Sequence, residues 1–248
     1  MRDDQAVIQE LVRDSSFIFT GTVVELSVST VANLTPRDNF AAVRIDRPLR
    51  SDPALGDLRG RLATVELLSR GELQPDEKAI FFTVNWILGG GIAVREVAHL
   101  NAQQEDSVAA EVARMPERHL ADRLTDAALV VVAEVTRVKP TPFDISWRNA
   151  PQWAAASLGI VDVLRGKPPQ NATVLFPTSG RPTWALAPRL TKGQRAIFLL
   201  HPPGDRPPLP EEDNLVPSQR FIALDPADVQ PESARMLIER LLGEGPSR

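Results

Sequence analysis

The stretch Asp14-Ser-Ser-Phe-Ile-Phe-Thr-Gly-Thr-Val-Val-Glu-Leu26 returns as Asp126-Ala-Ala-Leu-Val-Val-Val-Ala-Glu-Val-Thr-Arg-Val138, at an offset of 112 residues (126 − 14). In both, a polar leading residue opens an apolar, β-rich run. The run then alternates: Thr22, Val23, Val24, Glu25 and Leu26 are mirrored by Glu134, Val135, Thr136, Arg137 and Val138. Consecutive apolar residues predict a strand covered on both faces, and the alternating end predicts one face emerging into water. The chain reads as a tandem duplication in which one kind of first strand is used twice.

Working outward, the other strand phrases repeat in the same order. Phe40–Leu49 matches Ala155–Leu164 at an offset of 115 (160 − 45). Both end in turn chemistry, Leu49-Arg-Ser-Asp-Pro53 against Leu164-Arg-Gly-Lys-Pro168. Third strands are predicted at Arg61–Leu68 and Ala172–Phe176. The clearest match follows: Leu73-Gln-Pro-Asp-Glu-Lys-Ala-Ile-Phe-Phe82 against Leu190-Thr-Lys-Gly-Gln-Arg-Ala-Ile-Phe-Leu199, at an offset of 117 (196 − 79). A last strand lies at Ile92–Val97 and Phe221–Leu224. Asp3 or Asp4 caps a leading helix with Val7, Ile8, Leu11 and Val12 on one face, and its counterpart follows Pro116 with Leu120 and Leu124 inward. Closing helices are predicted at Glu105–Arg114 and Pro231–Leu242. Met115-Pro116 is read as the break between the helices, which sets domains at 1–115 and 116–248. Five strands with helices at the ends is the count of a small closed barrel. The expected core is Phe17, Phe19, Ile45, Val65, Ile80 and Phe82 in the first copy. In the second it is Leu129, Val131, Ile160, Val174, Ile197 and Leu199.

Composition supports this class. The 248 residues are enough for two cores, and 22 prolines with short β-rich runs point to an all-β class with minor helix. A net charge of −4 argues against a general polyanion binder. The absence of cysteine removes disulfides, thiolate metal sites and a cysteine nucleophile. No apolar run approaches the length of a membrane span. Met1 followed by Arg2-Asp-Asp-Gln5 predicts no signal peptide and a cytoplasmic location, with a secreted protein whose leader has been removed as the alternative.

The phrases Asp14–Val23, Leu49–Pro53 and Leu73–Phe82, with Asp126–Val135, Leu164–Pro168 and Leu190–Phe198, resemble the oligonucleotide/oligosaccharide-binding (OB) barrels of netrin-like domains. That is the fold of the tissue inhibitors of metalloproteinases and their bacterial relatives. The resemblance implies two tandem five-stranded OB-like barrels with short flanking helices. The animal inhibitors act through an amino-terminal cysteine on the protease zinc. This chain begins Met1-Arg2 and has no cysteine, so that function carries over to no position.

No pattern of catalytic residues stands out. There is no Gly-x-Ser-x-Gly elbow or Ser-x-x-Lys pair in context, and the paired carboxylates Asp3/Asp4, Asp76/Glu77 and Glu211/Glu212 sit in polar turns or chain ends. His99, His119 and His201 read as surface or loop histidines without a ligand set, so no metal and no cofactor are expected. Gly89-Gly-Gly91 separates two β runs and reads as a hairpin tip, made apolar by Trp86, Ile87 and Leu88. In the second copy, Trp147, Trp153 and Trp184 lie beside Arg148, Arg181 and Arg189 on what read as long loops. Aromatic and arginine side chains on such loops are suited to binding. The expected function is a non-catalytic protein-interaction module with a protein partner. A single-stranded nucleic acid or glycan binder using the Trp/Arg loops, and a protease inhibitor, are the alternatives.

Overall fold

A computed structural model of the chain describes residues 2–69, 71–88, 91–141, 152–179, 184–203 and 220–244. The chain divides into two compact units, Met1–Pro116 and Glu117–Arg248.

The first unit contains helix α1 (Arg2–Asp14) and strands β1 (Phe17–Leu26), β2 (Phe40–Arg50), β3 (Leu62–Glu66), β4 (Lys78–Leu88) and β5 (Ile92–Asn101), and it ends in helix α2 (Glu105–Asp126). The strands close into a barrel in the order β1-β2-β3-β5-β4. Among the described residues of this unit only β3 and β5 pair in parallel. Period-two alternation sends Phe17, Phe19, Val43, Ile45, Val65, Phe81 and Val94 into the barrel. The Phe17–Phe19 and Phe19–Phe81 rings stack with centroids 4.7 and 5.3 Å apart. The residues between them point outward and are no less buried. Ile18, Ile80 and Phe82 pack beneath Ile8 and Val12 of α1 and Val108 of α2. This is why β1 reads as a continuous apolar run. The segment between β2 and β3 plugs one end of the barrel, with Leu58 fully buried in the core.

The second unit takes the other half of α2, then β6 (Leu129–Pro140), β7 (Trp153–Arg165), β8 (Ala172–Pro177), β9 (Arg195–Leu200), β10 (Arg220–Ile222), β11 (Val229–Gln230) and helix α3 (Arg235–Glu244). Leu129, Val131, Ala133, Val174 and Phe198 face one core. Val130, Val132, Ile197 and Leu199 face a second, made with Leu120, Leu124 and Ile238 of the helices.

The ladders show how literal the duplication is. Phe17 pairs with Thr83 as Leu129 pairs with Leu200, and Gly21 with Ile45 as Ala133 with Ile160. Bulges interrupt β1 at Ile18/Phe19, Thr20/Gly21 and Val23/Glu25, and β6 at the matching Val130/Val131, Val132/Ala133 and Val135/Arg137. Bulges bend and twist a strand, so the repeat conserves the curvature that lets it wrap. The Leu-Arg phrases have a shared role. Arg50 donates to Val12 O (2.8 Å) and Ser15 O (2.5 Å), and Arg165 donates to Thr125 O (3.3 Å) and Ala127 O. Each arginine thus satisfies carbonyls where the leading helix ends. The β4 and β9 turns also agree. Asp76 and Gly193 both have positive φ (65° and 84°), and their N–H groups donate to Val23 O and Val135 O, each at 2.8 Å.

Three expectations require correction. Among the described residues the second unit forms a curled six-stranded sheet in the order β10-β8-β7-β6-β9-β11, not the five-stranded closed barrel expected. In the first unit Val84 pairs with Arg95 and Phe81 with His99, leaving three residues between the β5 partners. In the second, His201 bridges Ile222 and Phe198 pairs with Val229, leaving six. The extra residues make a 3-10 turn, Pro226–Asp228, that splits the last strand into β10 and β11. Among the described residues only the His201–Ile222 bridge joins β9 to β10. Secondly, Pro116 does not separate two helices but lies inside the single helix α2. Proline removes one backbone bond at a cost of about 3 kcal/mol. Val108, Val112 and Met115 anchor the helix in one core, and Leu120 and Leu124 in another, which offsets that cost. Thirdly, Ile160 is only half-buried, whereas every other expected core residue is buried.

Ile80→Ala and Ile197→Ala should each cost roughly 2–5 kcal/mol in denaturant unfolding, as transfer plus cavity. Gly193→Ala should cost about 1 kcal/mol by forcing a Cβ into the left-handed region, whereas Asp76→Gly should be neutral or stabilising.

Candidate interaction surface

On the outside of the first barrel, register places Phe40, Glu66 and Arg95 side by side, since Phe40 pairs with Glu66 and Glu66 with Arg95. Trp86, near the end of β4, comes to the same place. Its ring meets Phe40 edge-on at 6.0 Å, and the Arg95 guanidinium lies over it at 4.7 Å. The Arg37 guanidinium stands 5.6 Å from the Phe40 ring. Glu66 ties both cations in place, at 3.3 Å from Arg37 and 2.9 Å from Arg95. The arginine side chains remain 60% and 56% exposed while Glu66 is 19% exposed, so the guanidinium faces are what this row offers to solvent. Cation–π contacts of this kind are worth about 0.5–1 kcal/mol at exposed sites, a bias toward this arrangement to which the shared Glu66 adds. The loop after β1 folds against the same face, where Thr30 N–H donates to the buried Thr64 hydroxyl at 2.8 Å.

Trp86 and Ile87 are therefore half-buried members of β4 rather than a projecting tip. Leu88 closes β4 opposite Ile92, while its side chain and Gly89 and Gly90 lie outside the described residues. In the second unit, Trp147, Arg148 and Arg181 also lie outside the described residues. Trp153 is not on a loop. It begins β7, is buried, and packs on Trp184 with ring centroids 6.0 Å apart. Arg189 donates to the carbonyls of Pro177, Ser179 (2.7 Å) and Trp184 (3.1 Å), so its guanidinium braces the β8–β9 connection. Each unit thus keeps an aromatic pair on the outer face where its second strand begins, and in the first, exposed arginines lie over that pair.

His201 is not the loop histidine expected from the sequence, whereas His119 lies on the helix surface. His201 is buried, with Nε2 3.0 Å from Asp228 Oδ1. The fully buried Asp228 carboxylate also accepts from Arg123 Nε and Nη2 (2.8 and 2.9 Å) and from the N–H groups of Leu224 and Asp225 (both 2.9 Å). It staples the inserted turn to α2 and β9. His119, one helical turn before Arg123, reaches Asp225 at 2.9 Å. In the first unit the buried Glu96 takes the comparable place, 2.5 Å from His99 Nδ1 and accepting from Leu68 N–H at 2.7 Å. The partners of Asp228 are distant in sequence or belong to the inserted turn, so no local spacing announces them, whereas Glu96 and His99 are only three residues apart.

Electrostatics support a structural role for these groups. Burial pushes the Asp228 carboxyl up, but hydrogen bonds from His201, the Asp225 N–H and Arg123 outweigh it and hold it below the ordinary carboxylate range. Burial likewise opposes ionisation of Glu105, yet bonds from Thr20 (2.8 Å) and Arg47 (2.7 Å) lower its pKa. The second unit reverses the signs of this strand–helix pair, with Asp162 of β7 accepting from Arg235 of α3 at 2.7 Å. Among the described residues no three His, Asp or Glu converge as a metal site. No helix among them is long and apolar enough to cross a membrane. No protein-family model matches the chain, and no curated protein matches it closely enough to be a relative.

Because the folded-state pKa of Asp228 is depressed, its stabilisation is fully present above the unfolded carboxylate value and is lost as pH falls through the folded one. The contribution of Asp228 to thermal stability, read as the difference between the wild type and Asp228→Ala, should therefore be lost only in acid, below about pH 4. Asp228→Ala should cost roughly 3–5 kcal/mol at neutral pH by leaving Arg123 and His201 unpaired.

Proposed function

We propose that the chain is a non-catalytic protein-interaction module built from a duplicated OB-like unit of netrin-like type, docking a protein partner through the arginine–aromatic row of the first barrel. The strand order β1-β2-β3-β5-β4 with a parallel β3–β5 pair supports the OB reading. The observation that carries the function is the row itself: Arg37, Phe40, Trp86 and Arg95, fixed by Glu66 on a rigid sheet. Tryptophan and arginine are the residue types most enriched at interface hot spots, and a preorganised cluster loses little entropy on binding. A nucleic-acid track calls for an excess of positive charge, whereas here one carboxylate is shared between the two cations. In the second unit the described members of the Trp/Arg set, Trp153, Trp184 and Arg189, are engaged in ring packing and with loop carbonyls, which favours a protein partner over stacked bases or sugars.

Affinity capture from cells should yield proteins retained by the wild type. Their recovery should fall at least tenfold with Trp86→Ala/Arg95→Glu, under conditions where circular dichroism shows both baits folded. Salt-dependent binding of single-stranded DNA or RNA that this variant abolishes would replace the protein-partner reading, and an unchanged protein set would remove the row from the interface.

A further inference from the structure

The two units differ at one end of their sheets. The first joins β2 to β3 through residues 51–61, and the second joins β7 to β8 through residues 166–171, a connection five residues shorter (11 against 6). The missing residues are the plug. In the first unit Leu58 is fully buried in the core. Its segment is fixed to β2 through Ile45, whose N–H donates to Arg61 O (2.9 Å) and whose carbonyl accepts from Gly60 N–H (2.7 Å). Ile160 is the residue matching Ile45, because Gly21 pairs with Ile45 as Ala133 pairs with Ile160. The β7–β8 ladder stops at Leu158, so among the described residues no strand continues alongside Ile160 on that side. The uncovering is measurable. Ile45 is fully buried, whereas Ile160 is half-buried, Val161 is 55% exposed and Val163 is 37% exposed. Val163 pairs with Val131, a member of the same core that Ile160 packs against, so both approach the core from the strand end left open.

We propose that this end of the second unit is a docking site for a short extended, leucine-bearing segment of a partner protein. The segment adds in line with β8, bonds to the Ile160 main chain, and sets its leucine against Ile160 and Val163. The chemistry of the occupant is read from the first unit, which shows what completes this sheet end. There the fitting residue is Leu58, flanked by Gly56, Asp57, Arg59 and Gly60, with two main-chain bonds to the neighbouring strand. An unpaired strand edge carrying exposed valines is the template for such strand addition. The site belongs to the second unit and the arginine–aromatic row to the first, and the two proposals share only the class of partner, so either can fail without the other.

The probe is a fluorescent peptide of residues 52–62, Asp-Pro-Ala-Leu-Gly-Asp-Leu-Arg-Gly-Arg-Leu, titrated into the full-length protein by anisotropy. Saturable binding is expected, weakened at least tenfold by Leu58→Ser in the peptide or by Val163→Asp in the protein. Should Val163→Asp not fold, a second variant replaces residues 166–171 with the sequence of 51–61, filling the site from within. That graft should abolish peptide binding and slow amide exchange at Ile160. In the free wild type, Ile160 should exchange at least tenfold faster than Ile45. Equal protection would mean that the protein's own chain covers this edge, and would overturn the proposal. So would the absence of saturable binding, or binding indifferent to these changes.

Discussion

Each unit depends on one strand being buried on both faces. In β1, Phe17 and Phe19 enter the barrel while Ile18 lies beneath α1 and α2. In β6, Leu129 and Val131 go one way while Val130 and Val132 go the other, against α2 and α3. Full burial of such side chains is worth about 1.5–3 kcal/mol each, so the two faces together anchor both the sheet and its helices. The flanking strands inherit their register from this one, and the three bulges at matching positions keep its curvature the same in both units. Arg50 and Arg165 then tie each leading helix to the second strand, satisfying carbonyls that burial would otherwise leave unpaired.

On this common frame the units have diverged at their edges. The first keeps an unbroken β5 and a plugged end. The second carries three extra residues in its last strand and lacks the plug. A break in a buried strand needs compensation for its polar groups, and the Asp228 carboxylate supplies it by accepting from Arg123 and from the Leu224 and Asp225 N–H groups, with His201 Nε2 beside it. Glu96 and His99 do the same on a smaller scale beside the β4–β5 bulge of the first unit. Exposed ion pairs change more freely, which is why Arg47–Glu105 in one unit can become Asp162–Arg235 in the other with charges exchanged.

How much was legible in the sequence follows from which interactions are local. Strand phrases carry period-two alternation and turn residues, so the repeat, the buried strands and the helix faces of Val12, Leu120 and Leu124 could be read directly. The Asp228 staple could not, since Arg123 and His201 lie far from it in the chain. Nor could the arginine–aromatic row, which joins β2, β3, β4 and β5 only once the sheet closes. Trp86 was visible as part of the apolar Trp86–Leu88 stretch before a glycine run, but its partners Phe40 and Arg95 were not. Pro116 misled because local propensity marks it as a breaker, whereas tertiary anchoring on both sides carries the helix through. Ile160 misled because its apolar surroundings matched those of Ile45, while the residue that covers Ile45 had been lost from a different segment.

The doubly buried strand is most directly tested by site-resolved amide hydrogen exchange on the intact protein. If β1 and β6 anchor their units, the amides of Ile18–Thr20 and Val130–Val132 should be among the slowest to exchange, opening only with unfolding of the unit that holds them. Exchange at either segment as fast as in the connecting loops would contradict the account.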